Sequence, residues 1–347
     1  MLGVIASQNI DSNPQNTYFA NEFIFYFCLF FLVLITMLRA DSFGDDTLSY
    51  EKLFYKADEL SLSFSLGGEA LFYIGLKFFK FFDSYIFFIF SFTVMCALLI
   101  KHGANNIGLY SYVYFFPYVF TNRLVIEGLT NGIRSALAMI LLYVGVQRLE
   151  KSTTPLVLLS LCSLFIHFKI SVIILTGLIL SKYLGYKILI TIFIISIISL
   201  VADLFISIDK VVELFPLFKT IFGGDRYVSD NNASLMGTRL LIQNTMYVII
   251  PITFVLSLRH KMSLHSKYII KVLLFLSSLM ILFYPVSGHL QRIGLFLILF
   301  SATLILKYES SPSHILSISR VYIVAVVVVN YIILSKNVIS GSLFVDL

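Results

Sequence analysis

The sequence predicts an all-α polytopic membrane protein of about 11 transmembrane helices (roughly 10–12), forming one integral domain over residues 1–347. Three observations carry that expectation. Hydrophobic residues make up 59% of the chain and charged residues only 13%, against about 25% charged in soluble domains. Runs of ~20 apolar residues, the length a helix needs to cross a bilayer core, recur from end to end. These runs are continuous rather than alternating, which selects helices over a barrel. The same composition excludes other classes. Seven prolines and no low-complexity tract argue against a disordered or fibrous chain. Cys28, Cys96 and Cys162 each sit inside an apolar run, so neither a disulfide framework nor a metal-thiolate site is expected. The net charge of +6 comes from scattered basic residues, which excludes a nucleic-acid partner.

The elements follow in order. The first span, 20–38, reads as a retained anchor, because Met1–Tyr18 carries no positive charge and so makes no signal peptide. A long extracytoplasmic segment, 39–83, comes next. In it Lys77 and Lys80 accompany Phe78, Phe79, Phe81 and Phe82, a basic-aromatic helix suited to the membrane interface. Spans then fall at 84–100, 107–121 and 132–147. The stretch 155–181 is long enough for one tilted span, but Ile166-His167-Phe168-Lys169 interrupts it. Orientation arbitrates here, since short connectors rich in Lys and Arg are cytoplasmic. Lys101-His102, Arg148–Lys151, Lys182–Lys187, Arg259–Lys271 and Lys307–Arg320 share one side only if 155–181 crosses twice. It then forms two short helices with His167 and Lys169 near their outer turn. Further spans are expected at 188–208, 239–258, 268–285, 290–306 and 320–335, with a second long extracytoplasmic loop at 209–238. The N-terminus lies inside and the C-terminus outside. Most carboxylates, from Asp41 to Asp230, then face outward, and only Glu150 and Glu309 fall in the inner connectors considered.

The outward polar residues carry the functional reading. Arg39, Arg134, Arg239 and Arg292 stand near the outer ends of spans, and Arg123 joins them in the 122–131 turn. Any one of them can be explained by snorkelling to lipid headgroups. Several together suit a lipid-linked diphosphate, because guanidinium forks grip phosphate oxygens and never lose their charge. Asp45-Asp46-Thr47 can cap a helix at 48–60, yet capping leaves Arg39 and Tyr50 unexplained. The spacing of Asp41, Asp45 and Asp46 matches no metal loop, so no metal or other cofactor is expected. Asn131–Ala138 opens a span with Arg134 one turn in, and helix amides beside an arginine favour an anion. Its small residues Ser135, Ala136 and Ala138 allow a close approach. His167 is the histidine embedded in an apolar stretch. Histidine's ordinary pKa near neutrality suits a general base for a sugar hydroxyl, and the plain alternative is a buried structural histidine. His289, beside Arg292, is a second candidate. In the loop 209–238, Asp225, Arg226 and Tyr227 offer the mixed aromatic and polar surface that sugar rings need.

The order of these motifs resembles the EpsG family of Wzy-type polysaccharide polymerases over residues 20–310. Arg39, Gly44, Asp46 and Tyr50 match its Arg, Gly-x-Asp and Tyr pattern after the first span. Glu69 matches its Glu before the next hydrophobic helix, and Ile133, Arg134 and Ala138 match its Ile-Arg-x-x-x-Ala element. Phe165 and His167 resemble its Phe-His element with Ile166 inserted, and Arg292 resembles its late outer-edge Arg. Two departures stand out. Lys169 replaces the small hydroxyl residue that usually follows the His, with Ser171 further on, and the Gly-x-Asp position carries a doubled Asp45-Asp46.

The resemblance implies a GT-C-like membrane glycosyltransferase of O-antigen, capsule or exopolysaccharide biosynthesis, working at the outer face of the bacterial inner membrane. Donor and acceptor would be oligosaccharide repeats on undecaprenyl diphosphate, embedded in membrane lipid, with a separate chain-length regulator as partner. Transfer would invert the anomeric centre without metal or nucleotide. His167, Asp45 and Asp46 are the expected catalytic candidates. Arg39, Arg134, Arg239 and Arg292 would hold the diphosphate, and Tyr50, Glu69, Asp225, Arg226 and Tyr227 the glycan. A flippase for the same lipid-linked oligosaccharide could use an Arg-lined cavity without chemistry, but should show internal repeats, and no convincing one is found. An O-antigen ligase and a membrane O-acyltransferase are the nearer enzymatic alternatives.

Overall fold

A computed structural model describes residues 14–37, 45–60, 62, 69–104, 107, 111–201, 245–282, 288–308 and 315–339. The regular elements among them are helices. In chain order these are α1 (Pro14–Met37), α2 (Asp45–Tyr55), α3 (Ala70–Lys80), α4 (Tyr85–Gly103), α5 (Tyr112–Phe120), α6 (Arg123–Asn131) and α7 (Ile133–Arg148). They continue with α8 (Thr154–Ile166), α9 (Phe168–Tyr183), α10 (Tyr186–Val201), α11 (Ile250–Ser257, after a π turn at Thr245–Ile249), α12 (Leu264–Leu282), α13 (Gly288–Tyr308) and α14 (Ile315–Ile339).

An all-helical membrane protein is what these helices form. Rows of large apolar side chains face outward along them: Phe23 on α1 is 69% exposed and Ile198 on α10 is 58% exposed. Burying such rows in lipid removes apolar surface from water at about 25 cal/mol per Å². Among the described residues Tyr18–Met37, Tyr85–Gly103 and Leu264–Leu282 are long and apolar enough to cross a membrane. Counting the helices flanking Gly132 as one broken span makes four. Length and composition thus identify three or four spans, fewer than the hydropathy of the sequence suggests. One apolar run read as a whole span is shorter as a helix: among the described residues, 107–121 yields the nine residues of α5 with Pro117 inside.

Segment 122–131, expected as a turn, is helix α6. Asn122 caps it, its side-chain oxygen accepting the Leu124 N–H at 3.0 Å. Arg123 Nε donates to Glu127 Oε1 one turn on, at 2.5 Å, so this arginine is engaged with its own helix. Ile126, Leu129 and Thr130 are buried on one face. Two and a half turns are too few for that period to stand out in the sequence, and Gly128 interrupts it.

The chain divides into two compact units. The first comprises Met1–Leu60, Gly75–Ile133 and Ala302–Leu347. Within it α1 and α4 run antiparallel: Glu22 near the start of α1 accepts from Lys101 near the end of α4 at 2.6 and 2.7 Å. Farther along, Thr93 Oγ1 donates to Thr36 Oγ1 at 3.2 Å. Lys101 Nζ also lies 4.4 Å from the centre of the Phe25 ring. Glu22 is therefore an acid inside the first apolar run that a charge partner makes tolerable. Phe25, Phe116 and Phe120 meet in edge-on and tilted contacts that join α1 to α5.

The second unit comprises Ser61–Ile74 and Arg134–Ser301. Here α10 and α12 pack along their length, and α9 lies against α12. The Tyr186 hydroxyl donates to the Lys267 carbonyl at 3.0 Å, and the Tyr268 hydroxyl to the Leu178 carbonyl at 2.6 Å. Helix α8 follows α7 closely because position 145 is Gly: a Cβ there would meet Leu156 Cα at 3.2 Å. The stretch 155–181 divides at His167 into α8 and α9, as its charged interruption predicts.

Candidate functional site

The site grows from three chain positions in the second unit. Glu69 sits at the mouth of α3 with φ at +51°, in the left-handed region that costs a residue with a side chain about 1–2 kcal/mol. Its carbonyl accepts the N–H groups of Phe72 and Tyr73 at 3.0 and 3.2 Å, so the first turn of α3 holds that backbone in place. Strain of this kind persists only where surrounding structure over-determines it. Here the surroundings are charged: Glu69 Oε2 accepts from Arg134 Nη1, and Glu69 Oε1 lies 4.0 Å from His167 Nδ1.

Arg134 is the second residue of α7, within the first turn at its amide end. Its guanidinium lies over the Phe72 ring, 5.8 Å from the centroid, so α3 supplies its aromatic face and the residue just before α3 its carboxylate. The next residue, Ser135, is buried and accepts from Arg292 Nη1 of α13 at 3.3 Å. Adjacent positions at the start of α7 thereby engage two of the arginines expected to bind phosphate.

His167 is the extended residue between α8 and α9, with φ −152° and ψ 93°. Neither Pro nor Gly makes the break; hydrogen bonds secure it. The His167 N–H donates to the Ser163 carbonyl at 2.9 Å, and the His167 carbonyl accepts from the Ser171 N–H at 3.2 Å and the Ser171 hydroxyl at 2.8 Å. Ser163 Oγ stands 2.5 Å from Ser171 Oγ and donates to the Ala138 carbonyl of α7 at 3.2 Å. The two hydroxyls thus join α7, α8 and α9 directly behind the histidine. The close approach expected of Ser135, Ala136 and Ala138 is realised at the Ala138 carbonyl.

The side chains are differently accessible: 6% for His167, 14% for Glu69 and 29% for Arg134. Burial raises the Glu69 pKa above the usual carboxylate range, while the charge and hydrogen bond of Arg134, and the charge of Lys169, pull it back only in part. The result is a sheltered carboxylate of enhanced basicity between a histidine and a permanent cation. Such a group can accept a proton or orient the histidine, and Arg134 can meet an anion from its exposed side.

The expected site residues fall into three sets. Glu69, Arg134 and His167 come together, and Arg292 joins through Ser135. Tyr50 is buried on α2, in the first unit. Asp45 and Asp46 open α2, but their side chains lie outside the described residues, as do Arg39, Asp41, Gly44, Asp225, Arg226, Tyr227, Arg239 and the side chain of His289. Four contributors escaped the sequence reading as site residues: Phe72, Ser163, Ser171 and Lys169. The signal for Ser171 was its position four residues after His167, from which a helix hydroxyl reaches the i−4 carbonyl.

A helical membrane protein carrying a partly buried Glu–Arg–His cluster at helix ends and breaks is the class that fold and site define. The chain belongs to the EpsG family, whose family model matches residues 22–345, and this is a Wzy-like polysaccharide polymerase family. No curated protein and no solved structure matches it.

Proposed function

We propose that the protein polymerises oligosaccharide repeat units carried on undecaprenyl diphosphate, acting as an inverting, metal-independent glycosyltransferase at the outer face of the inner membrane. The observation that carries this reading is the Glu69–Arg134–His167 cluster, found in a chain of a polysaccharide polymerase family. A topology of about 11 spans, with the short helices α8 and α9 presenting His167 outward, supports access from that face.

The chemistry is one displacement. His167, with Glu69 behind it, takes the proton from the acceptor hydroxyl, whose oxygen attacks the anomeric carbon of the donor. The bond from that carbon to the diphosphate oxygen breaks, and lipid diphosphate leaves with the electron pair. Arg134 and Arg292 stabilise the charge that develops on the leaving group, the task for which fixed cations in a water-poor site are most effective. Substrate phosphate approaching Arg134 competes with Glu69 for the guanidinium. That competition weakens the ion pair and makes Glu69 a better proton partner for His167 at the moment of transfer.

The test is purified protein in lipid supplied with a lipid-linked repeat unit, without nucleotide or metal. Elongation to a ladder is expected from the wild type. Arg134→Ala and His167→Ala should each lose about two to four orders of magnitude in rate while still inserting in the membrane. Full-length ladders from both variants would remove these residues from the mechanism.

A further inference from the structure

A second polar feature lies far from His167, about 22 Å along α9 at the helical rise. The end of α9, the starts of α10 and α12 and the 3₁₀ turn Arg259–Lys261 surround a cavity of about 620 Å³. Lys182, Arg259, Lys267 and Lys271 line it together with His260, and no carboxylate does. Among the described residues none of these four cations forms an ion pair. Gathering four like charges is unfavourable by itself, at about 1 kcal/mol or more for each close pair at high dielectric. Glu150, which accepts from Ser263 Oγ at 3.3 Å next to Leu264 of the rim, stands beside the basin but does not line it.

The walls of the basin are nevertheless fixed. The Tyr186 and Tyr268 hydroxyls are both engaged with backbone carbonyls of neighbouring helices. The Arg259 guanidinium stacks 4.0 Å over the Tyr186 ring, which occupies its face and leaves its N–H edge directed elsewhere. Lys271 reaches the Lys182 carbonyl at 3.4 Å. An anion with several acceptor oxygens complements this arrangement.

The surroundings decide which anion. Leu264, at the rim, is 85% exposed, and Ile179 on α9 and Ile188 on α10 are also exposed. Apolar surface therefore continues from the basin along the helices, where acyl chains would lie. We propose that this basin binds the phosphate headgroup of an anionic membrane lipid, with its acyl chains along α9 and α10. The site is independent of the polymerase reading and shares no residue with it. Basic recesses between helix ends are well matched to anionic headgroups.

The test uses the full chain in non-ionic detergent, titrated with phosphatidylglycerol, phosphatidylcholine or inorganic phosphate, and follows the unfolding temperature. Phosphatidylglycerol should raise it and phosphatidylcholine should not. Lys267→Gln with Lys271→Gln should weaken the apparent phosphatidylglycerol affinity about 25-fold, at roughly five-fold per cation. The pair Lys267→Arg with Lys271→Arg should retain it. Wild-type affinity in the glutamine double variant would overturn the proposal. An equal shift from inorganic phosphate would assign the basin to a soluble anion and overturn the lipid. If the double variant does not fold, Arg259→Gln at the exposed rim carries the same test, with a loss of about five-fold expected.

Discussion

Glu69 illustrates how much one residue can be asked to do. It occupies a left-handed backbone position, begins α3 and holds the two side chains most suited to chemistry. Two predictions separate these roles. Glu69→Gly and Glu69→Ala both delete the carboxylate, but only Gly accepts a φ of +51° without strain. Gly should therefore be the more stable of the two by about 1–2 kcal/mol, read as unfolding midpoints in detergent, with both inactive. Equal midpoints would show that the strain is absent. The second prediction concerns protonation. Glu69 lies in the segment read as outside the membrane spans, and burial raises its pKa while Arg134 opposes that rise. The infrared carboxyl band that disappears in Glu69→Gln should therefore titrate above the ordinary value of about 4.3. Arg134→Ala removes the opposing cation and should move that titration higher still. A downward move would mean that Arg134 is not the controlling charge.

Helices position these residues, so the next predictions concern packing. The bond from Ser171 to the His167 carbonyl, and the contact between Ser163 and Ser171, hold the break that displays the histidine. Ser171→Ala should cost about 1 kcal/mol of stability and reduce elongation more than that loss of folded protein explains. An unchanged specific activity would show that the backbone bonds alone hold the turn. At Gly145 a Cβ would press on Leu156 Cα, a backbone atom that cannot rotate away. Gly145→Val should therefore destabilise by about 1–3 kcal/mol despite removing a helix glycine, with lowered thermal midpoint as the readout. Its expected secondary effect is a displaced His167, because α8 leads directly into that residue.

At the scale of the molecule the orientation predicted from basic connectors has a direct test. With the native Cys28, Cys96 and Cys162 replaced, a cysteine at Phe81 should react with an impermeant maleimide added outside intact cells. One at Tyr183 should react only after the membrane is opened. Both side chains are strongly exposed on the protein, at 87% and 77%, so protein packing does not shield them, and labelling after solubilisation in detergent controls for shielding by lipid. Reversed labelling would place His167 on the cytoplasmic side and exclude the polymerase topology.

Composition and the continuity of the apolar runs determined that this is a helical membrane protein, because a chain in lipid must satisfy its backbone internally and unbroken runs do so as helices. Local sequence also determined the division at His167: a titratable residue and a lysine within an apolar run are costly at the centre of a span. The ordered short motifs were enough to indicate the family. What the sequence left open was partnership. Glu69 read as a contact for glycan, and nothing local tells that its carboxylate meets Arg134, 65 positions away, and faces His167. Arg123 read as one of several equivalent arginines, until its own helix engaged it. Charge pairing depends on which helix ends are brought within a few ångströms, and tertiary packing decides that. So the chain's composition set its solvent, and the three-dimensional fold decided which of its few charges act together.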